Sequence, residues 1–207
     1  MNAPQGSDAW LAARAGCLTA SAIADMIAKT KTGESASRAN LRARLVAERL
    51  TGVPQGPDLS NNPAVRWGTD HEPLARAAYE VSRGVMVDQT GLVMHPEIQW
   101  AGASPDGLID DDGLLEIKAP NTATHLEYLL AGIPPRKYQP QMLWQMECTG
   151  RQWCDFASFD PRLPDDLQLF VVRLDRDQAR IDEIRAEAIA FLAEVEEMIG
   201  RLRMRAA

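Results

Sequence analysis

Asp106, Glu116 and Lys118 have the types and spacing from which a phosphodiester-cleaving centre can be assembled. They occur as Ser104-Pro-Asp-Gly107 and, ten residues after the aspartate, Glu116-Ile-Lys118. In a strand, side chains alternate, so Glu116 and Lys118 share one face while Ile117 takes the other, into the core. A hairpin turning at Asp110 to Gly113 folds Asp106 back beside that strand, with Gly113 expected to supply the positive φ such turns favour. Two carboxylates, with the backbone carbonyl of Ile117, supply hard oxygen ligands for Mg²⁺. Lys118 would orient or help deprotonate an attacking water and offset charge on the pentacoordinate transition state. Taken alone, so short a pattern is equally well explained by a solvated hairpin. Asp110, Asp111 and Asp112 are read that way outright, since they lack the spacing of a calcium loop.

Three further segments add to the cluster. In Trp67-Gly-Thr-Asp-His-Glu72, Glu72 is expected near the first turn of a helix, where it either projects a third carboxylate toward the metals or complements the helix dipole. His71 is either a ligand or a structural histidine. Tyr138-Gln-Pro-Gln141-Met-Leu-Trp-Gln145 sets two glutamines four apart on one helix face, where an amide can bind the nucleophilic water or a phosphate oxygen. An exposed polar face is the alternative, and Trp144 is assigned to the core. In the stretch from Trp10 to Ser21, Arg14, Thr19 and Ser21 gather near a helix start, an arrangement suited to phosphate. Capping explains the two hydroxyls but leaves Arg14 unassigned.

Positioning these groups falls to a mixed set of elements. Helices are expected after Ser7 or Asp8, from Thr19 or Ser21 toward Lys29, up to Gly52, and from about Thr69 to Arg83. Short strands are expected at Val85–Val87, Gly91–Met94, Ile98–Gly102, Leu108–Ile109 and Leu114–Lys118. Helices over about 121–131 and 137–148 follow, then strands at Gln152–Phe159 and Leu167–Leu174. A terminal helix over about 175–204 carries Ile181, Ile184, Ala188, Leu192, Val195, Ile199 and Leu202 on one stripe. The order implies an α/β protein, residues 1–207 as one domain, with a mixed sheet flanked by helices.

Composition agrees with a soluble globular chain: 207 residues, 45% hydrophobic and 25% charged. Neither a membrane span nor a secretory signal is evident, which makes the cytoplasm the expected location. Cys17, Cys148 and Cys154 form no C-x-x-C pair and are expected to be reduced, buried filler. The three histidines are too dispersed for a structural zinc. A net charge of −7 runs against the usual basicity of proteins that bind nucleic acid, unless basic groups are concentrated on one face.

The segments Gly6-Ser-Asp-Ala-Trp10, Leu18-Thr-Ala-Ser21, Trp67-Gly, Ser104-Pro-Asp-Gly107, Glu116-Ile-Lys118, Gln141 and Phe159-Asp-Pro-Arg162 occur in an order that resembles the lambda phage exonuclease family. These viral recombinases belong to the nuclease superfamily named for its PD-(D/E)xK motif. The resemblance implies a restriction-endonuclease-like core in which Asp106, Glu116 and the Ile117 carbonyl bind Mg²⁺, with Mn²⁺ as a substitute and Glu72 nearby. Lys118 and Gln141 would act on the attacking water. Arg14, Ser21 and Ser104, with Lys31 as a further candidate, would form a 5′-phosphate pocket, and Val65 would separate the terminal base pair. His71 stands where the lambda enzyme has a tyrosine, and the loop from Pro54 to Pro63 has no match.

The resemblance further implies a 5′-to-3′ exonuclease that degrades one strand of linear double-stranded DNA, leaving 3′ tails for phage-type homologous recombination. A ring-shaped homotrimer, a single-strand annealing protein as partner, and a phage or prophage origin in a bacterial host go with it. Two other functions fit the same residues: a structure-specific or junction-processing endonuclease, and a catalytically silent module that binds DNA ends. An iron–sulfur relative is disfavoured, because such clusters normally take four cysteines.

Overall fold

The computed structural model describes residues 3–31, 33–55 and 61–206. The chain opens with α1 (Asp8–Arg14) and β1 (Leu18–Thr19), then passes through a 3-10 turn at Ala20–Ala22 into α2 (Ile23–Ile27). A small hairpin, β2 (Lys29–Thr30) and β3 (Gly33–Glu34), precedes α3 (Ala36–Thr51) and α4 (Pro63–Arg83). Strands β4 (Val93–Met94), β5 (Ala101–Ala103), β6 (Gly107–Ile109) and β7 (Gly113–Lys118) follow. Then come α5 (Thr122–Ala131), α6 (Gln139–Thr149), β8 (Trp153–Phe159), β9 (Leu169–Asp175) and α7 (Gln178–Ala206).

The central sheet has the order β6-β7-β8-β9, with β7 and β8 parallel and the outer pairs antiparallel. Parallel neighbours require a crossover, and α5 and α6 provide it. A second sheet sets β5 between β1, to which it is parallel, and β4, to which it is antiparallel. Strand alternation divides the core in two. Leu114, Cys154 and Phe156 pack with α2, α3, α6 and α7, whereas Leu115, Ile117 and Ala157 pack against Ala75 and Tyr79 of α4. The expected mixed sheet with helices on both faces is what forms. All three cysteines are free and buried, and burial pushes each thiol upward.

Local chemistry explains most helix ends. Ser7 accepts from the Trp10 N–H, and Asn121 from the Thr124 N–H. Gly52 and Gly84 end α3 and α4 with φ of 70° and 66°.

Several expectations are corrected. Helix α4 begins at Pro63 rather than near Thr69: Asn62 caps it by accepting from the Ala64 N–H, and the missing N–H of Pro63 costs nothing in the first turn. Glu72 therefore lies more than two turns into the helix, where the dipole explanation does not apply. Gly113 is not the turn residue; the positive φ, 44°, belongs to Asp110. Gly113 instead opens β7 beneath the Trp153 ring, where a Cβ would stand 2.2 Å from ring carbons.

Neither Thr19 nor Ser21 caps a helix, because the chain turns through the 3-10 segment first and no side-chain cap bond forms there. Val85–Val87 is not a strand; the pairing in that region is a single bridge from Asp88 to Leu108. The next two expected strands shorten to Val93–Met94 and Ala101–Ala103, the latter beginning after Trp100 adopts a φ of 62°. Leu202 leaves the apolar stripe of α7 and is 44% exposed, whereas the six earlier stripe residues are buried. Of the Pro54–Pro63 loop, residues 56–60 lie outside the described residues. Among the described residues, no helix is long and apolar enough to cross a membrane.

Candidate active site

The hairpin of β6 and β7 brings the acidic groups together through a backbone bond. Asp106, immediately before β6, accepts the Ile117 N–H on Oδ2 at 2.7 Å. It thereby continues the β6–β7 pairing with a side chain in place of a strand carbonyl. Glu116 is fully buried. Its Oε1 accepts from Lys118 Nζ and from Gln141 Nε2, the latter at 2.7 Å, while Oε2 accepts from Gln145 Nε2 at 2.7 Å.

The electrostatics are those of a site with surplus negative charge. Burial and the adjacent Glu116 carboxylate push the Asp106 carboxyl up to about 8, against the opposing pull of Lys118. Burial works against the Lys118 charge, yet Glu116 and Asp106 together hold that ammonium above its ordinary range. A shortage of positive charge around hard oxygen donors is what a divalent cation would relieve. Among the described residues, no three His, Cys, Asp or Glu side chains converge as a metal cluster. Asp106, Glu116 and the Ile117 carbonyl are the oxygen donors that could hold such a cation.

A cavity of about 160 Å³ connects these groups to a second cluster. Its opposite wall is formed by Gln5, Trp10, Arg14, Thr19, Ser21 and Ser104. Trp10 Nε1 donates to Ser104 Oγ at 3.0 Å, and the Arg14 guanidinium lies 4.0 Å above the Trp10 ring centroid. Arg14 Nη2 donates to Thr19 Oγ1 at 3.1 Å and to Ser21 Oγ at 3.4 Å, while its buried Nε has no partner. Arg14 makes no ion pair among the described residues; burial, and then the charge of Arg44, lower its pKa. An arginine held by neutral hydroxyls, with a donor still unmet, is equipped to receive an anion.

Beyond Asp106 lies a wider cleft of about 610 Å³ that includes Val65, Thr69, Glu72 and Arg76 and shares Gln5 and Trp10 with the first cavity. Glu72 is paired with Arg76 one helical turn away, and Arg76 Nη2 also reaches the Asp106 carbonyl oxygen at 3.4 Å. His71 stacks on Trp67 with ring centroids 3.6 Å apart, and its Nδ1 lies 2.8 Å from the Trp67 carbonyl oxygen. Lys31 is exposed in the turn between β2 and β3 and lines neither cavity.

Sequence reasoning gave no role to Gln5, whose Nε2 ties the N-terminal segment to the carbonyls of Pro105 (2.7 Å) and Thr90 (3.2 Å). No local pattern marks it. Trp10 and Arg76 were also without a role, although Arg76 stands four residues after Glu72, a helical spacing that signals the pair.

Fold and site together define a nuclease built on a mixed α/β core. The YqaJ-like viral recombinase domain model matches residues 9–152, and the chain belongs to that family. An alkaline exonuclease from Laribacter hongkongensis, LHK-Exo, has 50% sequence identity and a TM-score of 0.89, with 97% of this chain and 98% of that chain covered. The crystal structure of LHK-Exo in complex with dAMP matches equally well. A phage-related exonuclease from Haemophilus somnus 129PT shares the fold at 16% identity and a TM-score of 0.69, covering 90% and 96% of the two chains. No curated protein matches. The chain is a DNA exonuclease.

Proposed function

We propose that this exonuclease digests one strand of linear duplex DNA in the 5′-to-3′ direction, with Mg²⁺ as cofactor and Mn²⁺ as a substitute. The carrying observation is that Arg14 and its hydroxyl neighbours line the same cavity as Asp106, Glu116 and Lys118. An anion pocket adjoining a hydrolytic centre suits an enzyme that grips a terminal 5′-phosphate and cuts at the nearest linkage. Asp106, Glu116 and the Ile117 carbonyl would hold the cation, which when bound supplies Lewis acidity toward the phosphate oxygens. Lys118 and Gln141 orient the attacking water and help remove its proton. Arg14, Ser21 and Ser104 anchor the 5′-phosphate; Lys31, which lines neither cavity, is not placed among them.

Glu72, now paired with Arg76, would add charge beside the metal if that pair opened, and His71 is the remaining candidate ligand on the same helix. Val65, 41% exposed at the start of α4, parts the terminal base pair. In this reading three copies form a ring around DNA in the cytoplasm of a bacterial host. The 3′ tail passes to a single-strand annealing protein for phage-type recombination.

The test uses linear duplex labelled on one strand and bearing either a 5′-phosphate or a 5′-hydroxyl, with closed circular DNA alongside. Progressive loss from the phosphorylated 5′ end with the circle intact is expected; cleavage of the circle would make the enzyme an endonuclease instead. Binding without any cleavage would leave a silent end-binding module. Arg14→Ala is expected to slow phosphorylated ends at least about tenfold, the scale of one lost charge-assisted bond. Equal slowing on hydroxyl ends would reassign Arg14 to general backbone contact.

A further inference from the structure

Glu116 has two oxygens that the fold treats differently. Oε1 is shared by Lys118 and Gln141, both of which line the cavity. Oε2 is met by Gln145 Nε2 at 2.7 Å, and Gln145 is fully buried, one turn further along α6 and outside the cavity wall. Its neighbours Met142, Leu143, Trp144 and Met146 are likewise fully buried. An amide in such surroundings is costly unless bonded. Here one of its N–H groups is given to a carboxylate, and its Oε1 lies 3.9 Å from Cys154 Sγ.

We propose that Gln145 is a positioning residue that clamps Oε2 and leaves Oε1 as the sole Glu116 oxygen offered to the cation. This rests on the reading of Glu116 as a metal ligand. Glu116 would thereby offer one oxygen to a cation, a mode that suits Mg²⁺. Ca²⁺, by contrast, accepts both oxygens of a carboxylate at longer distances. With a cation on Oε1, Lys118 and Gln141 would be free to turn to the water, and the Gln145 bond to Oε2 would not need to break. The two glutamines of α6 thus divide the work: Gln141 faces the reaction and Gln145 fixes the ligand behind it.

The experiment is calorimetric titration of Mg²⁺ and of Ca²⁺ into the full chain without DNA, for the unaltered protein, Gln145→Met and Gln145→Asn. Methionine keeps the volume and removes the donor; asparagine keeps the amide and loses the reach. Both are expected to weaken Mg²⁺ binding about 10- to 100-fold, as loss of an outer-shell bond to a metal ligand does. Both should also shift the Ca²⁺-to-Mg²⁺ affinity ratio toward Ca²⁺, because Glu116 becomes free to bind through both oxygens. A merely structural role would lower the melting temperature without moving that ratio, so an unchanged ratio in either folded variant overturns the inference. Failure of the underlying reading is distinguishable: the unaltered chain would bind neither cation, or Glu116→Ala would bind as well as it does.

Discussion

Lys118 is held between two carboxylates with only 29% of its side chain exposed, and its value to the reaction is separable from its value to the fold. Lys118→Ala is expected to lower the cleavage rate at least about 10²-fold, the scale of one lost transition-state donor. Calorimetric Mg²⁺ affinity and DNA binding should stay largely intact; near-normal turnover would remove Lys118 from the mechanism. Asp106 supports a prediction about pH. With its carboxyl pushed up to about 8 by burial and Glu116, the metal-free native state holds a proton that the unfolded chain releases near its ordinary value of about 3.9. The native state therefore binds more protons than the unfolded one across that window, and metal-free stability falls as pH rises from about 4 to about 8. Loading the site below about pH 8 must expel that proton. Mg²⁺ titrations at about pH 6 in buffers of different ionisation enthalpy should report nearly one proton released, falling toward zero by about pH 9. Heats independent of the buffer at pH 6 would show that Asp106 is already ionised.

Among the elements, β7 depends on a close contact at its first residue. The Trp153 ring covers Gly113, and the Arg173 guanidinium lies 3.4 Å from the centroid of that ring. Gly113→Ala should thus destabilise the chain by about 1–3 kcal/mol, as overpacking does, measured by urea unfolding; an unchanged midpoint would mean the ring moves aside freely. This contact also marks where sequence reading stops. Asp106, Glu116, Lys118 and Gln141 were legible because they fall on one short hairpin and one helix, whose periodicities dictate which side chains share a face. Gly52 and Gly84 were legible as helix ends because capping is local. The role of Gly113 was not, because it is set by a ring forty residues away, and Gln5 reaches the site through bonds that no spacing reveals. The first six residues of α4 were missed because Asn62 and Pro63 read as the end of a loop, whereas Pro73 already fell inside the expected helix. In the structure one proline occupies the first turn, and the other is exposed inside the helix. Strands β1, β4 and β5 are two or three residues long, too short for alternation to declare itself.

At the scale of the whole molecule, the net charge is −7, so what bears on a nucleic-acid substrate is where cations are left without an acidic partner rather than the sum. Glu194 binds both Arg38 and Arg42, Glu196 binds Arg49, Glu147 binds Arg176 and Glu187 binds Lys29. These pairs join α7 and α6 to their neighbours, while Arg14 remains without a carboxylate partner among the described residues. Cleavage of linear DNA should therefore weaken steeply with added salt, as phosphate contacts require; a flat dependence would argue against cationic grip on the backbone. Sedimentation should give three copies of the 22.8 kDa chain, and a monomer at micromolar concentration would sink the ring. The buried thiols have a practical consequence for watching such an assembly work. Since Cys17, Cys148 and Cys154 are all enclosed and held in the unreactive thiol form, a cysteine introduced at exposed Met204 would be the one site open to a maleimide dye. A single fluorophore could then report on the motion of one molecule along DNA without first stripping the native cysteines from the chain.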